Sequence, residues 1–269
     1  MKKKRVIPVL LLKDNWLVQS KTFSEYKKIG DPVLGVKRFS EWDADELIYL
    51  DITSKAEFTF GRSDTNNFAF KSLDEALIEI SKVSNMPITI GGGIKSLEQI
   101  ETKLENGADK ISLNTEAIRN PKFVRESSQE FGKSCIVISI DYLFENKTAN
   151  VWNRSIVDYR FPVLMDWCRE LENLGAGEIL INNVDRDGMK TGYDLDTINE
   201  ISHALSIPLI ACGGASSWGD MHKVLSETEA DGVAAANIFH FQDQSIYHAR
   251  DYLYSRGVNV RPPTLTKLR

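Results

Sequence analysis

Cysteine is nearly missing from this chain. Its 269 residues hold three, Cys135, Cys168 and Cys212, an odd number set far apart in apolar contexts. That spacing argues against a disulfide framework or a cysteine-built metal centre and predicts reduced, buried thiols. Histidine is scarce as well. His203 and His222 fall within helical patterns, where solvated positions are expected, and His240 and His248 lack metal-ligand spacing. No metal and no cofactor are expected. The sequence has no run of about 18 apolar residues, so no membrane span is expected. The opening MKKKR is followed only by VIPVLLL before Lys13 and Asp14, which does not suit a secretory signal and predicts a cytoplasmic protein. A strong charge of one sign is also missing. A net charge of −5 and a pI near 5.5 give no support to a nucleic-acid partner.

What is present is a 42% hydrophobic content, enough for a large core. Short apolar runs alternate with helix-sized segments. They predict strands near residues 5–11, 46–51, 87–91, 109–113, 135–141, 178–183, 208–212 and 231–236. Eight strands spaced this way predict an α/β protein, a (β/α)8 TIM barrel spanning 1–269 as one domain; such barrels run to about 250 residues. Helix signals agree. Ser72 to Glu75 and Ser96 to Gln99 have capping-box spacing, Gly107 sits where a C-terminal cap belongs, and Pro121 suits a first turn. Leu164, Trp167, Leu171 and Leu174 form a core-facing stripe. Residues 14–34 and 53–71 read as long loops, and both follow strands, so both belong at the C-terminal face where barrel active sites lie.

The chain also repeats itself. ITIGGGIKSLEQIETKLENGADKISLNTEAI covers strands three and four, and PLIACGGASSWGDMHKVLSETEADGVAAANIF covers strands seven and eight. DELIYLD pairs with GEILINN in the same way. A doubled half-barrel explains this. In the same register VIPVLLL aligns with IVISIDY, which sets Leu11 opposite Asp141. One half keeps a carboxylate at the barrel mouth; the other has an aliphatic side chain there.

Several groupings can carry chemistry. Gly91-Gly92-Gly93 and Gly213-Gly214 each follow a strand and precede a helix start, where bare backbone N–H groups can cradle a phosphate. Asn114-Thr115 and Asn237 end the neighbouring strands and can add donors. Two such places suit a phosphorylated small molecule with a phosphate at each end. Asp141 can act as a general acid or base, or merely start a turn. Asp51, at the end of strand two, and Asp185 and Asp187, in VDRDGMKTG, are further candidates for substrate contact; Asp187-Gly188 is also ordinary turn chemistry. At the opposite pole Arg5, Glu46, Lys110 and Glu178 begin strands. Two positive and two negative charges there can form a closed ring, either a structural plug or a gate on the barrel axis.

These residues bring a family resemblance along nearly the whole chain. KRVIP, GDPV, DELIYLDIT, ITIGGGI, GADKISLNT, SIDY, GAGEIL, VDRDGMKTGYDL, ACGGA and NIFHF resemble the cyclase subunit of imidazole glycerol phosphate synthase. The resemblance implies a (β/α)8 barrel with a glutaminase docked at its N-terminal face. Ammonia would cross a charged gate at Arg5, Glu46, Lys110 and Glu178 and react at the top with a bisphosphorylated ribonucleotide derivative. It implies phosphate sites at Gly92, Gly93, Asn114, Gly213 and Gly214, with Asn237 where the family usually has Ser. The departures fall at the top. Leu11 replaces the first of two catalytic aspartates and Asp141 matches the second. Gln19 replaces a loop Lys, Met189 a small hydroxyl residue, and VWNRSIVDYRFP a Thr-Gly-rich stretch. The PVLLLKD strand resembles a paralogous group that accompanies a glutaminase homologue and a sugar amidotransferase in bacterial surface-polysaccharide pathways. There an acetamido group becomes an acetamidino group. That group implies a barrel conducting ammonia to a sugar amidotransferase. Competing readings are a true cyclase subunit, a sugar-phosphate isomerase on the same half-barrel, and a non-catalytic scaffold for the glutaminase.

Overall fold

The computed structural model describes residues 2–53, 70, 72–156, 162–240 and 244–264. In chain order the elements are β1 (Arg5–Lys13), β2 (Trp16–Lys21), β3 (Glu25–Gly30), α1 (Pro32–Glu41), β4 (Leu47–Asp51), α2 (Leu73–Val83), β5 (Ile88–Gly91) and α3 (Leu97–Glu105). They continue as β6 (Lys110–Leu113), α4 (Thr115–Arg119), α5 (Pro121–Phe131), β7 (Ile136–Glu145), β8 (Thr148–Trp152), α6 (Leu164–Leu174) and β9 (Glu178–Asn183). Then come α7 (Leu195–Ala204), β10 (Leu209–Cys212), α8 (Trp218–Glu227), β11 (Gly232–Ala235) and α9 (Ser245–Tyr254).

Eight of the strands run parallel in the order β1, β4, β5, β6, β7, β9, β10, β11. β11 then pairs with β1, with Arg5 opposite Gly232 and Ile7 opposite Ala234, and the sheet closes into a barrel. Alternation along each strand divides the core into two layers. Ile7, Val9, Ile48, Val137, Leu180, Ile210 and Ala234 fill the barrel interior. Val6, Leu10, Leu47, Ile90, Ile111, Ile138 and Ile179 point outward into the layer shared with the helices. Each fully buried branched side chain contributes about 1.5–3 kcal/mol, so these two layers fix where every strand end sits.

Helix ends follow the local chemistry. Ser72 and Ser96 are N-caps whose hydroxyls accept from the backbone N–H of Glu75 and Gln99. Gly107 follows α3 at φ +105°, and Pro121 opens α5.

The 14–34 segment corrects the sequence expectation, because it is not a loop. β1 overruns the barrel to Lys13, turns at Asp14-Asn15 and pairs antiparallel with β2, which pairs with β3. Asp14 and Asn15 both have positive φ, 51° and 63°, as a tight two-residue hairpin turn demands. β7 repeats the device half a barrel away. It runs past Asp141 to Glu145, turns at Asn146-Lys147 with φ 49° and 67°, and pairs with β8. The half-barrel repeat is therefore visible in the two overrunning hairpins. Most of the predicted 53–71 loop, and residues 157–161 of the VWNRSIVDYRFP stretch, lie outside the described residues.

Candidate functional site at the two ends of the barrel

The lower end is closed by four side chains. Arg5 Nη1 lies 2.7 Å from Glu46 Oε1, and its Nη2 also meets Glu178. Lys110 Nζ lies 3.2 Å from Glu46 and 3.1 Å from Glu178. Each cation touches both anions, so the ring is continuous. Alternation puts all four in one inward layer below Ile7, Ile48 and Leu180. Burial alone would lower the Arg5 pKa; the Glu178 and Glu46 carboxylates outweigh it and hold the guanidinium firmly charged. Directly beneath lies a pocket lined by Lys2, Lys3, Arg5, Lys110, Glu178 and Asp231, among others. Above the ring the axis is largely apolar, apart from the buried hydroxyl residues Thr89, Ser112 and Ser139.

At the upper end Asp141 sits in register with Asn182 of β9 and Trp152 of β8. Its carboxylate is held between two amides. Asn114 Nδ2 donates to Oδ2 at 2.8 Å and Asn182 Nδ2 to Oδ1 at 3.3 Å. Burial pushes the Asp141 pKa up to about 6; the amides pull it down in part, and the Asp187 charge raises it further. A carboxyl poised there exchanges protons near neutral pH. Leu11 is opposite Leu50 in register and packs on the inner apolar cluster. The mouth has one carboxylate at this level where the half-barrel repeat would allow two. Cys212, at the end of β10, is half-buried, and its pKa is pushed up to about 12 by burial, with Asp187 and Asp141 adding to the effect, so it stays in the thiol form near neutral pH.

Gly92 and Gly93 have φ +116° and +67°, and Gly213 and Gly214 have φ +96° and +98°. A Cβ on Gly92 would come within 2.1 Å of the Asp51 carbonyl oxygen, and one on Gly214 within 2.2 Å of the Gly192 carbonyl oxygen. Only glycine suits either position. Arg186 covers the second pair and donates to the Gly192 carbonyl at 3.2 Å.

The remaining candidates are already engaged. Asn114 Oδ1 and Thr115 Oγ1 both accept from Asn153 Nδ2, at 2.9 and 3.0 Å. Asn237 donates to the Ser20 carbonyl at 3.0 Å. Asp51 accepts from Thr53 N–H, and burial raises its pKa. Asp185 accepts from Phe144 N–H at 3.2 Å. Asp187 accepts from Ser20 Oγ at 2.8 Å, and its own carbonyl accepts from Thr22 N–H. In this structure Asp185 and Asp187 tie strands and hairpins together, and the Asp187 charge reaches Asp141 and Cys212 at the mouth.

Sequence reasoning missed Asn153 and Ser20 altogether. Ser20 sits on β2, which the Asp14-Asn15 turn after β1 could have signalled. Asn146-Lys147 could likewise have signalled β8, which delivers Asn153. No local pattern marks Asn153 itself.

Among the described residues no group of three His, Cys, Asp or Glu is placed to hold a metal ion, and no helix is long and apolar enough to cross a membrane. A family model described as "Histidine biosynthesis protein" matches residues 5–245. Imidazole glycerol phosphate synthase subunit HisF of Natranaerobius thermophilus is 38% identical over 259 residues, 96% of this chain and 98% of that protein. The protein of the same name from Clostridium botulinum is 38% identical over 261 residues, 96% and 98% of the two chains. The closed eight-stranded barrel and these matches together place the chain in the histidine biosynthesis protein family, alongside the cyclase subunits of imidazole glycerol phosphate synthase.

Proposed function

We propose that this chain is the barrel subunit of a glutamine-dependent complex and conducts ammonia along its axis. A glutaminase docks under the Arg5–Glu46–Lys110–Glu178 ring and releases ammonia there. The observation that carries the reading is that continuous ring, set below a largely apolar interior, with Asp141 at the top and Leu11, rather than a second carboxylate, in the repeat-related position. Neutral ammonia crosses apolar surroundings at little cost, whereas an unpaired ammonium does not. A ring that opens by swinging Lys110 would admit the small neutral molecule and close behind it.

The consumer follows from the mouth. Ring-closing chemistry with a bisphosphorylated ribonucleotide calls for an acid and a base, and general acid–base groups typically supply 10²–10⁴-fold each. Leu11 supplies neither proton nor charge. In this reading ammonia leaves the top for a sugar amidotransferase, where its nitrogen bonds to the acetamido carbon of an amino sugar of a surface glycan, the C–O bond breaks, and the oxygen departs with two of the hydrogens as the equivalent of water, leaving an acetamidino group. Gly92-Gly93 and Gly213-Gly214 are phosphate cradles inherited from the cyclase plan.

A second reading is that the chain itself cyclises the histidine-pathway substrate. The names of its relatives favour it over the sugar reading, and Asp141, with a pKa near 6, suits the surviving half of the chemistry. Ammonia-dependent turnover of the histidine-pathway substrate separates the two. The conduit reading expects near-background turnover from the natural chain and a measurable gain from Leu11→Asp. Fast turnover by the natural chain would establish the cyclase and remove the sugar reading.

A further inference from the structure

The two ends of the barrel mouth are related by the half-barrel repeat but are furnished differently. At one end Gly213 and Gly214 lie beside Arg186, whose Cβ would be 3.1 Å from a Cβ on Gly214. Its guanidinium donates to the Gly192 carbonyl at 3.2 Å and to that of Thr191 at 3.5 Å, partly exposed backbone contacts that a phosphate beside the glycine turn can replace. At the other end, beside Gly92-Gly93, the side chains that would meet a phosphate are Asn114 and Thr115, and both are held by Asn153.

Asn153 follows β8 and reaches inward from the hairpin that β7 forms above the barrel. It is 7% exposed. Its amide nitrogen has two hydrogens, and both are used, one on Asn114 Oδ1 at 2.9 Å and one on Thr115 Oγ1 at 3.0 Å. Its amide oxygen accepts from Ser155 N–H at 2.9 Å. Those contacts fix which way round the amide sits, because a flipped amide would set its oxygen against Asn114 Oδ1. The remaining amide of Asn114 donates to Asp141. A line of hydrogen bonds thus runs from Asn182 through Asp141, Asn114 and Asn153 to Thr115. A phosphate drawing on the Asn114 and Thr115 side chains would compete with a buried amide that has all its partners in place, and buried polar groups left unpaired are costly.

We propose that Asn153 is a specificity-determining residue that closes the Asn114–Thr115 end of the mouth, so that the barrel admits a ligand with one phosphate, at the Gly213–Gly214 end, and rejects one with a phosphate at each end. The proposal rests on the conduit reading for what the mouth serves, and it gives that reading a second cause beyond Leu11.

The test is calorimetric titration of the full chain, Asn153→Ala and Asn153→Ser with two probes, the bisphosphorylated histidine-pathway ribonucleotide and ribose 5-phosphate. The Ser variant keeps a short hydroxyl for one of the abandoned partners and serves if the Ala variant does not fold. Shortening the side chain is expected to tighten the bisphosphate by about tenfold or more and to leave ribose 5-phosphate within about threefold. Equal bisphosphate affinity in the natural chain and a folded variant overturns the proposal. Because binding is read rather than turnover, the failures can be told apart. Tight bisphosphate binding without turnover sinks the stopper and spares the conduit. Weak binding by the natural chain, a gain in the variants and no passage of glutaminase-derived ammonia sinks the conduit and spares the stopper.

Discussion

Asp141 and Leu11 hold equivalent places on β7 and β1, yet the two side chains answer to different physics. Asp141 has its pKa pushed from 3.8 to about 6, burial being the main cause. The folded state therefore binds a proton more tightly than the unfolded chain. The Asp141 contribution to stability is fullest below about pH 4 and is lost as pH rises through about 6. Asp141→Asn should raise the melting temperature at pH 8 and give little gain at pH 3.5. A shift of this size corresponds to about 1–3 kcal/mol, and thermal melts at the two pH values check the sign. Leu11→Asp should do the opposite, destabilising the chain while raising ammonia-dependent cyclisation above the natural level, because it buries a new carboxylate beside Leu50. Glycine positions make a separate residue-scale prediction. Gly92→Ala meets the Asp51 carbonyl at 2.1 Å with φ +116° and should cost about 3 kcal/mol or more. Gly93→Ala has open space and φ +67°, and should cost about 1 kcal/mol. Denaturant unfolding of the pair measures the difference.

At the scale of elements, the β2–β3 hairpin is the least expected part of the molecule. It lies against the top through Ser20 to Asp187, Thr22 to the Asp187 carbonyl, and Asn237 to the Ser20 carbonyl. Phe23 packs on Trp152, and Arg154 donates to the Phe23 carbonyl. The hairpin therefore joins the loops after β9 and β11 to the β7–β8 hairpin. Ser20→Ala removes a hydrogen bond to a carboxylate, worth about 1.5–3 kcal/mol, and it acts locally. Amide hydrogen exchange in residues 16–30 should speed up several-fold while exchange in β9 and β10 is unchanged. Equal acceleration throughout the barrel would mean that the contact supports the whole fold rather than the hairpin.

On the scale of the whole molecule the barrel is a tube with one charged end and one polar end. Lys110→Met leaves Glu46 and Glu178 facing each other with Arg5 as their only cation in the ring. Removing one partner of a buried ion cluster typically costs about 3–5 kcal/mol, and the partial exposure of these side chains, 5% to 21%, should bring this one below that. The functional signature is sharper. With a glutaminase bound, Lys110→Met should uncouple glutamine hydrolysis from amidation, so that glutamate released exceeds product formed, while added ammonium still supports amidation. An unchanged ratio would show the ring to be a structural plug.

Much of this was legible in the chain. The eight barrel strands and their order along the sequence, helix caps at Ser72 and Ser96, the turn at Gly107 and the half-barrel repeat are written in local patterns, because they depend on periodicity, hydrogen-bonding side chains and backbone φ; the three hairpin strands β2, β3 and β8 were not read. The ring residues were legible too, since a charge at a strand start can point only into the opening or out of it. The choice of partners was not. Whether Asp141 meets Asn114 and Asn182, whether Asp187 faces a ligand or Ser20, and whether Asn153 fills the place beside Thr115 depend on residues 27 to 167 positions apart. Barrel closure and the curl of two hairpins bring those residues together, and no periodicity records it. The sequence by itself determined the barrel, its repeat and the missing carboxylate at Leu11; only the tertiary structure decided which polar groups were already spoken for, because a hydrogen bond is set by distance in space and not by separation along the chain.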